Sequence, residues 1–494
     1  MSQIEEKKET TVDFHEHVQS SNSDDISSAE QGGSAPSDAE KKVVRKINLA
    51  FVPLVCLIIF TQYMDKSVLN FSGIMGIYET GISHDQFAWL GSMFYVGFLA
   101  IQIPNQYFIQ RVQISKYLGT ILVIWGACLA LTALANNFAQ LAGLRFLLGF
   151  WEGTTYPAIF LLISTLYRRS EQVVWYGTVF QCNAVTGIFG GLISYGIANM
   201  DGERGIRAWR WCNIIWGAFT FTLGFFFFFF LPDRPKSRWF RLTAEEEKIV
   251  EERTLDNAVV QNKKINMSQV YEALREPRLY CYFFLSLLLN LQNGALTLFS
   301  SQITTSMGFS PLNTVLLAIP HAFASIILLA NVMFLSKRYN DICYVGMLST
   351  FIAMIGAILL AAIPPSPGQL AGIYIGVSSP PYTMLQTSIS NNVSGYTKKT
   401  FYTSCNLLAY CLGNFIGPLM MVQKEAPRYI GGLTGYAVAD FICILLFAYL
   451  RWSMGRENKR REKLKQEGKI PPPPENRIEY DLTDKEDLNF VYRL

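Results

Sequence analysis

Apolar stretches recur along the chain at about 47–69, 87–109, 117–136, 139–166, 174–198, 212–231, 279–303, 311–335, 342–363, 369–390, 401–422 and 432–452. Each is near the about 20 residues that a helix needs to cross a bilayer. They form two sets of six around a polar segment, so the pattern predicts an all-α membrane protein with twelve transmembrane helices in two six-helix bundles, 47–231 and 279–452. Residues 1–46 are dominated by Ser, Glu, Asp and Gly towards their start, too polar to offset ordering entropy, and are expected to be a disordered tail. The segment 232–278 opens with Leu231-Pro232-Asp233-Arg234-Pro235, a helix stop, and restarts at Thr243, whose spacing to Glu246 fits a capping box ahead of an amphipathic surface helix. Residues 453–494 carry a basic run at 456–465 and the stretch Pro471–Pro474, and read as a solvated extension.

Composition agrees with the pattern. Half of the 494 residues are hydrophobic and only 16% are charged, which excludes a soluble core of this size. The formal charge of +4 is too small to imply nucleic acid, and its Lys and Arg lie in loops. Lys41, Lys42, Arg45 and Lys46 precede span 1; Arg111 and Lys116 follow span 2; Arg168 and Arg169 follow span 4. Lys337 and Arg338, Lys398 and Lys399, and the run from Arg451 to Arg461 follow spans 8, 10 and 12, whereas the loops after spans 1, 3, 7 and 9 hold neither residue type. By the positive-inside rule both termini are cytoplasmic. Arg204, Arg207 and Arg210 after span 5, and Lys424 and Arg428 after span 11, are local exceptions. The nine cysteines stand singly, with no CxxC and no Cys/His ligand spacing, so neither a disulfide framework nor a metal site is expected. The polar, acidic start carries no cleavable signal, leaving span 1 to direct insertion.

An ionisable side chain at mid-membrane costs about 2.5 to 3.5 kcal/mol on insertion scales, so each asks for a partner or a task. Span 1 contains Asp65 and Lys66, and span 4 contains Arg145 and Glu152. The span 4 pair is seven residues apart, two turns and about 10 Å along one helix face, too far for a direct bond. Asp65 and Lys66 have the right signs to serve as partners, as crossed pairs of Asp65 with Arg145 and Lys66 with Glu152, or as a shared network. Two readings of this cluster stay open: an ion-pair device that sets helix register, and a proton-and-anion site in which protonating Glu152 or Asp65 frees Lys66 or Arg145 to hold a carboxylate. Asp440 near the end of span 12 reads as a snorkelling charge, and His321 beside Pro320 as a packing histidine. Tyr63, Tyr156, Asn290, Asn293, Asn406 and Asn414 are among the polar groups inside spans, suited either to line a cavity or to bond between helices. With His321 the only histidine in a span and no His/Cys cluster, a membrane-embedded enzyme is excluded, and no cofactor is expected.

Several of these residues fall in longer runs. They include Tyr63-Met64-Asp65-Lys66, Arg145-Phe146-Leu147-Leu148-Gly149-Phe150-Trp151-Glu152-Gly153 with Pro157, and Trp209-Arg210-Trp211. Leu231-Pro232-Asp233, Gly395-Tyr396-Thr397-Lys398-Lys399, Gly413-Asn414-Phe415-Ile416-Gly417-Pro418 and Ala426-Pro427-Arg428-Tyr429 follow in order. From about 45 to 455 the chain resembles the major facilitator superfamily, and within it the anion:cation symporter family in its fungal allantoate permease branch. The resemblance implies two bundles rocking about a central site, driven by a proton gradient. It implies Asp65 and Glu152 as proton-coupling carboxylates, Arg145 as the cation that recognises substrate or pairs with a carboxylate, and Tyr63 and Asn414 as cavity-lining positions. Lys66 stands where relatives often have Arg, and Asn105, Gln110 and Gln113 replace the superfamily's Gly, Asp and Gly in the loop after span 2. The expectation is therefore proton-coupled import of a small organic anion by alternating access, the anion being allantoate, nicotinate, pantothenate or a similar carboxylate, or a sulfur-containing acid. Tyr63, Lys66, Arg145, Asn293 and Asn414 are the expected substrate contacts. The expected partners are that anion, protons and the lipid bilayer, with the chain a monomer in the plasma membrane, or else in an internal membrane. The alternative is a transporter-like nutrient sensor that signals through its cytoplasmic tails.

Overall fold

The computed structural model describes residues 38–109, 111–167, 169–234, 236–258, 266–469 and 481–494. All twelve apolar stretches are helical. In the first half these are α1 (Asp38–Ser72), α2 (His84–Ile109), α3 (Ile114–Thr132), α4 (Phe138–Glu152) with α5 (Thr155–Leu166), α6 (Arg169–Ala198) and α7 (Ala208–Phe230). The link carries α8 (Ala244–Ala258) and α9 (Met267–Leu274). The second half follows with α10 (Pro277–Ser306), α11 (Pro311–Tyr339), α12 (Ile342–Ala362), α13 (Leu370–Ile375) with α14 (Ser379–Asn392), α15 (Tyr396–Leu419) and α16 (Ile430–Gln466). Among the described residues, nine helices are long and apolar enough to cross a membrane. The stretches at 174–198, 369–390 and 401–422 do not reach that standard, although α6, α13 with α14, and α15 occupy them. Two stretches are broken, α4/α5 at Gly153-Thr154 and α13/α14 at Gly376–Ser378.

Within each half the helices pack α2 on α4, α3 on α7, α10 on α15 and α12 on α16, while α6 with α11, α2 with α15 and α1 with α10 join the halves. Close approach comes from missing side chains: a Cβ on Gly149 would collide with the Phe94 carbonyl of α2, and one on Gly417 with the Leu291 carbonyl of α10.

The polar segments depart from the sequence expectation. Residues 1–37 lie outside the described residues, but 38–46 are helical rather than disordered tail, because α1 extends past its apolar stretch to pack on the link. Val43 is buried, Glu40 pairs with Arg253, and Lys46 Nζ lies 2.7 Å from Glu246 Oε2. The capping box forms: the Thr243 N–H donates to Glu246 Oε2 at 2.8 Å and the Glu246 N–H to Thr243 Oγ1 at 3.4 Å. At the other end α16 runs on through the basic stretch to Gln466, and 481–494 fold back onto the second bundle instead of forming a solvated extension. Thr483, Asp484 and Tyr492 are buried there. Lys398, fully buried at the start of α15, reaches Glu272 at 2.8 Å, Glu276 at 2.6 Å and Asp484 at 2.7 Å.

Candidate functional site

The charged residues of spans 1 and 4 meet where α1 passes the break between α4 and α5. Arg145 Nη1 lies 3.6 Å from Asp65 Oδ1, and Lys66 Nζ lies 3.3 Å from Glu152 Oε1, so the crossed pairs are those the signs required. Asp65, Arg145 and Glu152 are buried, whereas the Lys66 side chain keeps 23% exposure and is the one charge of the four open to solvent. Two cations and two carboxylates sum to zero when all are ionised. Asp65 Oδ1, both Glu152 oxygens, Arg145 Nε and Thr155 Oγ1 are nevertheless buried without a hydrogen-bond partner among the described residues. Unsatisfied buried polar groups in a native fold call for a functional or solvent explanation.

Five aromatic residues that sequence reasoning passed over surround this centre. Trp125, in the middle of α3 and fully buried, donates its indole N–H to Asp65 Oδ2 at 3.0 Å, the one hydrogen bond that carboxylate receives among the described residues. Its signal was readable: Trp gathers at membrane interfaces, so a Trp at mid-span needs an acceptor nearby. Lys66 Nζ stands 5.7 Å from the Phe94 ring centroid, a cation–π distance. Tyr95 of α2 and Tyr410 of α15 bring one ring from each bundle into contact at 6.2 Å beside Lys66, and Tyr382 of α14 packs tilted against Tyr410 at 5.6 Å. Tyr63 lies on the same face of α1 as Lys66, one turn away, with its hydroxyl against Gly187 of α6.

The amide candidates sit differently. Asn293 Nδ2 donates to Asn414 Oδ1 at 2.9 Å, Asn414 Nδ2 donates to Asn290 Oδ1 at 3.1 Å, and Ser378 Oγ donates to Asn293 Oδ1 at 3.3 Å. Asn414 is fully buried with both ends of its amide occupied, so the expected cavity-lining position is instead an interhelical tie. Asn293 remains partly exposed and anchors the break between α13 and α14. Gln292 Nε2 donates to the Gly376 carbonyl at 3.0 Å, replacing a helix bond lost at that break. Asp440 is 1% exposed and does not snorkel. His321 packs 6.4 Å from the Tyr374 ring.

At the ends opposite the basic loops the two halves are fastened together. Asn70 Nδ2 donates to Ser300 Oγ at 2.9 Å, the Tyr78 hydroxyl donates to Gln302 Oε1 at 3.0 Å, and the Gln423 N–H donates to Asp85 Oδ1 at 3.2 Å. One level deeper, Ser92 Oγ donates to the Phe415 carbonyl at 2.7 Å. Among the described residues, the hydrogen bonds between the bundles all lie in this half. At the other end Asp233, from the stop after span 6, accepts from Ser115 Oγ at 2.7 Å and holds the start of α3. Gln110 of the loop after span 2 lies outside the described residues.

Two bundles joined by a polar link, with a charged cluster within the first, match a known architecture. Residues 55–418 match the Major Facilitator Superfamily. The chain belongs to that superfamily. It is 35% identical to an uncharacterized transporter of Schizosaccharomyces pombe over 92% of this chain and 90% of that one. It is 31% identical to the allantoate permease of Saccharomyces cerevisiae over 92% and 87%, and these relatives place it in the fungal allantoate permease branch. In fold it is similar to a bacterial homolog of the human lysosomal transporter Spinster in an inward-facing, occupied conformation, with a TM-score of 0.62 at 15% identity over 84% of this chain and 97% of that one. This superfamily member is a multi-pass membrane protein and a transporter of small molecules rather than an enzyme.

Proposed function

We propose that the chain is a proton-coupled importer of a small organic anion in the plasma membrane, working by alternating access, with Asp65 and Glu152 as the proton-coupling carboxylates. The paired charges of α1 and α4 support this reading most. A proton on either carboxylate changes the sum of the cluster from zero to +1 and releases a cation. Lys66, the exposed one, is then free to take a substrate carboxylate, while Arg145 holds the other arm. The tyrosine rings of Tyr95 and Tyr410 flank the same ammonium from both bundles, so a bound anion would bridge the halves that move. A partly open Lys66 beneath hydrogen-bonded outer ends fits a state open toward the basic loops. The relative named allantoate permease carries an anion by its name, in keeping with the charge argument. The chain is taken to act as a monomer, since both half-sites come from one polypeptide.

Uptake of labelled allantoate, nicotinate, pantothenate, biotin and sulfonates into cells with the protein at their surface tests the proposal, at acidic and neutral pH and with a protonophore. The expected result is one anion accumulated faster at acidic pH and not at all with the protonophore. Accumulation indifferent to the protonophore would refute coupling, and uptake of cations or neutral solutes alone would refute the anion.

A further inference from the structure

Cys56 of α1 and Cys182 of α6 stand with their sulfurs 3.5 Å apart, across 126 residues of sequence. Among the described residues no other two cysteine sulfurs touch. Both are partly exposed, and they line a groove whose other walls are Phe51, Val52, Val55, Ile163 and Trp175, all apolar. At 1.5 Å per residue they lie about 12 to 14 Å from the ends of their spans that carry the basic loops, at matching depth inside the hydrocarbon. Apolar walls at this depth suit an apolar reagent.

We infer that Cys56 and Cys182 form a chelating dithiol site for apolar trivalent arsenicals. Two thiols in van der Waals contact suit a pyramidal trivalent centre, which holds two sulfurs on adjacent corners, so the helices need not move. A disulfide would need the sulfurs to close by about 1.5 Å, and also an oxidant. With an aryl arsenoxide, two As–S bonds form and the As=O bond breaks. The oxygen leaves as water with the two thiol protons, and arsenic stays trivalent. The partly exposed Trp175 offers the aryl group an aromatic wall. Bridging staples α1, which carries Asp65 and Lys66, to α6.

The test is phenylarsine oxide added to the purified full-length protein in lipid nanodiscs, followed by a wash with excess 2-mercaptoethanol and intact-mass measurement. One phenylarsenic adduct per chain is expected to survive the monothiol wash and to be stripped by 2,3-dimercaptopropanol. Cys56→Ala and Cys182→Ala, each checked for monodisperse elution, are expected to retain none. Independently of any variant, digestion of the labelled wild type should yield arsenic on a joined pair of peptides containing Cys56 and Cys182. Wild type without a monothiol-resistant adduct, an adduct that persists in either variant, or arsenic mapped to another pair would overturn the assignment.

Discussion

Lys398→Met is expected to detach the carboxyl-terminal segment from the second bundle. In the wild type two ammonium groups, Lys398 and Lys485, face three carboxylates, Glu272, Glu276 and Asp484. The substitution leaves one against three. Asp484, on the tail, then faces Glu272 and Glu276 on the body without the ammonium that bonded all three. Breaking a buried ion pair by removing one partner costs about 3–5 kcal/mol. Because Glu272 keeps 21% exposure, the lower end is the better figure here. At about 1.4 kcal/mol per tenfold, about 3 kcal/mol corresponds to roughly 100-fold more frequent opening of the segment. Hydrogen exchange reads this directly, since the Tyr492 N–H donates to Asn458 Oδ1 at 3.0 Å and the Arg493 N–H to Asn392 Oδ1 at 2.7 Å.

Asp484→Ala is the informative contrast. It leaves two ammonium groups against two carboxylates, so the segment loses the bonds that Asp484 makes to Lys398 and Tyr492 but gains no repulsion; about tenfold faster exchange is expected. The pH dependence has a definite sign. Burial lowers the Lys398 pKa, but Asp484 and Glu276 outweigh it and the value ends above that of an ordinary lysine. A raised folded-state pKa contributes stability that is complete below the unfolded value and lost only as pH rises through the folded one. Protection, corrected for intrinsic exchange, should therefore be flat from neutral pH to about 9. Wild-type exchange in Lys398→Met, or a larger effect from Asp484→Ala than from Lys398→Met, would refute the charge argument.

Once the uptake screen has named a substrate, Glu152→Gln should abolish uphill accumulation while leaving exchange, and accumulation at the wild-type rate would remove Glu152 from coupling. Arg145→Ala should raise the KM for that anion strongly, and an unchanged KM would return Arg145 to a register-setting role. Trp125→Phe keeps the ring and deletes the donor to Asp65. A hydrogen bond to a charged group is worth about 1.5–3 kcal/mol, so coupled uptake should fall about tenfold or more at unchanged folded yield; full uptake would detach Trp125 from the site. In α4, Gly149→Ala should destabilise by about 1–3 kcal/mol or more, because the new Cβ meets the Phe94 backbone. Gly143→Ala, with open space around it, should be neutral or mildly stabilising. Equal thermal midpoints for these two variants in fluorescence-detected elution would contradict the helix contact.

The all-helical fold was legible because lipid leaves the backbone few choices: an apolar stretch of about 20 residues with its own hydrogen bonds closed is a helix. The pairing of Asp65 with Arg145 and of Lys66 with Glu152 was legible for the same reason. An unpaired charge there is so costly that four signs on two stretches leave few arrangements. Weaker penalties leave more freedom. Asn414 was equally able to line a cavity or to bind another amide, and only the position of Asn290 and Asn293 on α10 decides for the tie. Tyr95 and Tyr410 carry no penalty that marks them, so their meeting beside Lys66 depends on how two bundles dock.

The carboxyl-terminal segment shows where local reading stops. Residues 481–494 are polar enough to stay in water, and nothing in their own periodicity demands burial. What holds the segment is a surface assembled from Gln269, Asn392, Lys398, Asn458 and Arg461, five residues spread over 192 positions and brought together only after α9, α14, α15 and α16 have packed. Composition measures what a segment can do without a partner; it carries no information about a partner built elsewhere in the chain. The Lys398 side chain is the exception in that list. A lysine two residues after Tyr396, at the start of a span, reads as one more positive-inside loop charge. It serves that rule and also supplies the buried cation to which link helix, second bundle and tail are all tied. Substituting it therefore separates the two roles: the topology should survive, since Lys399 remains beside it, and the tail should let go.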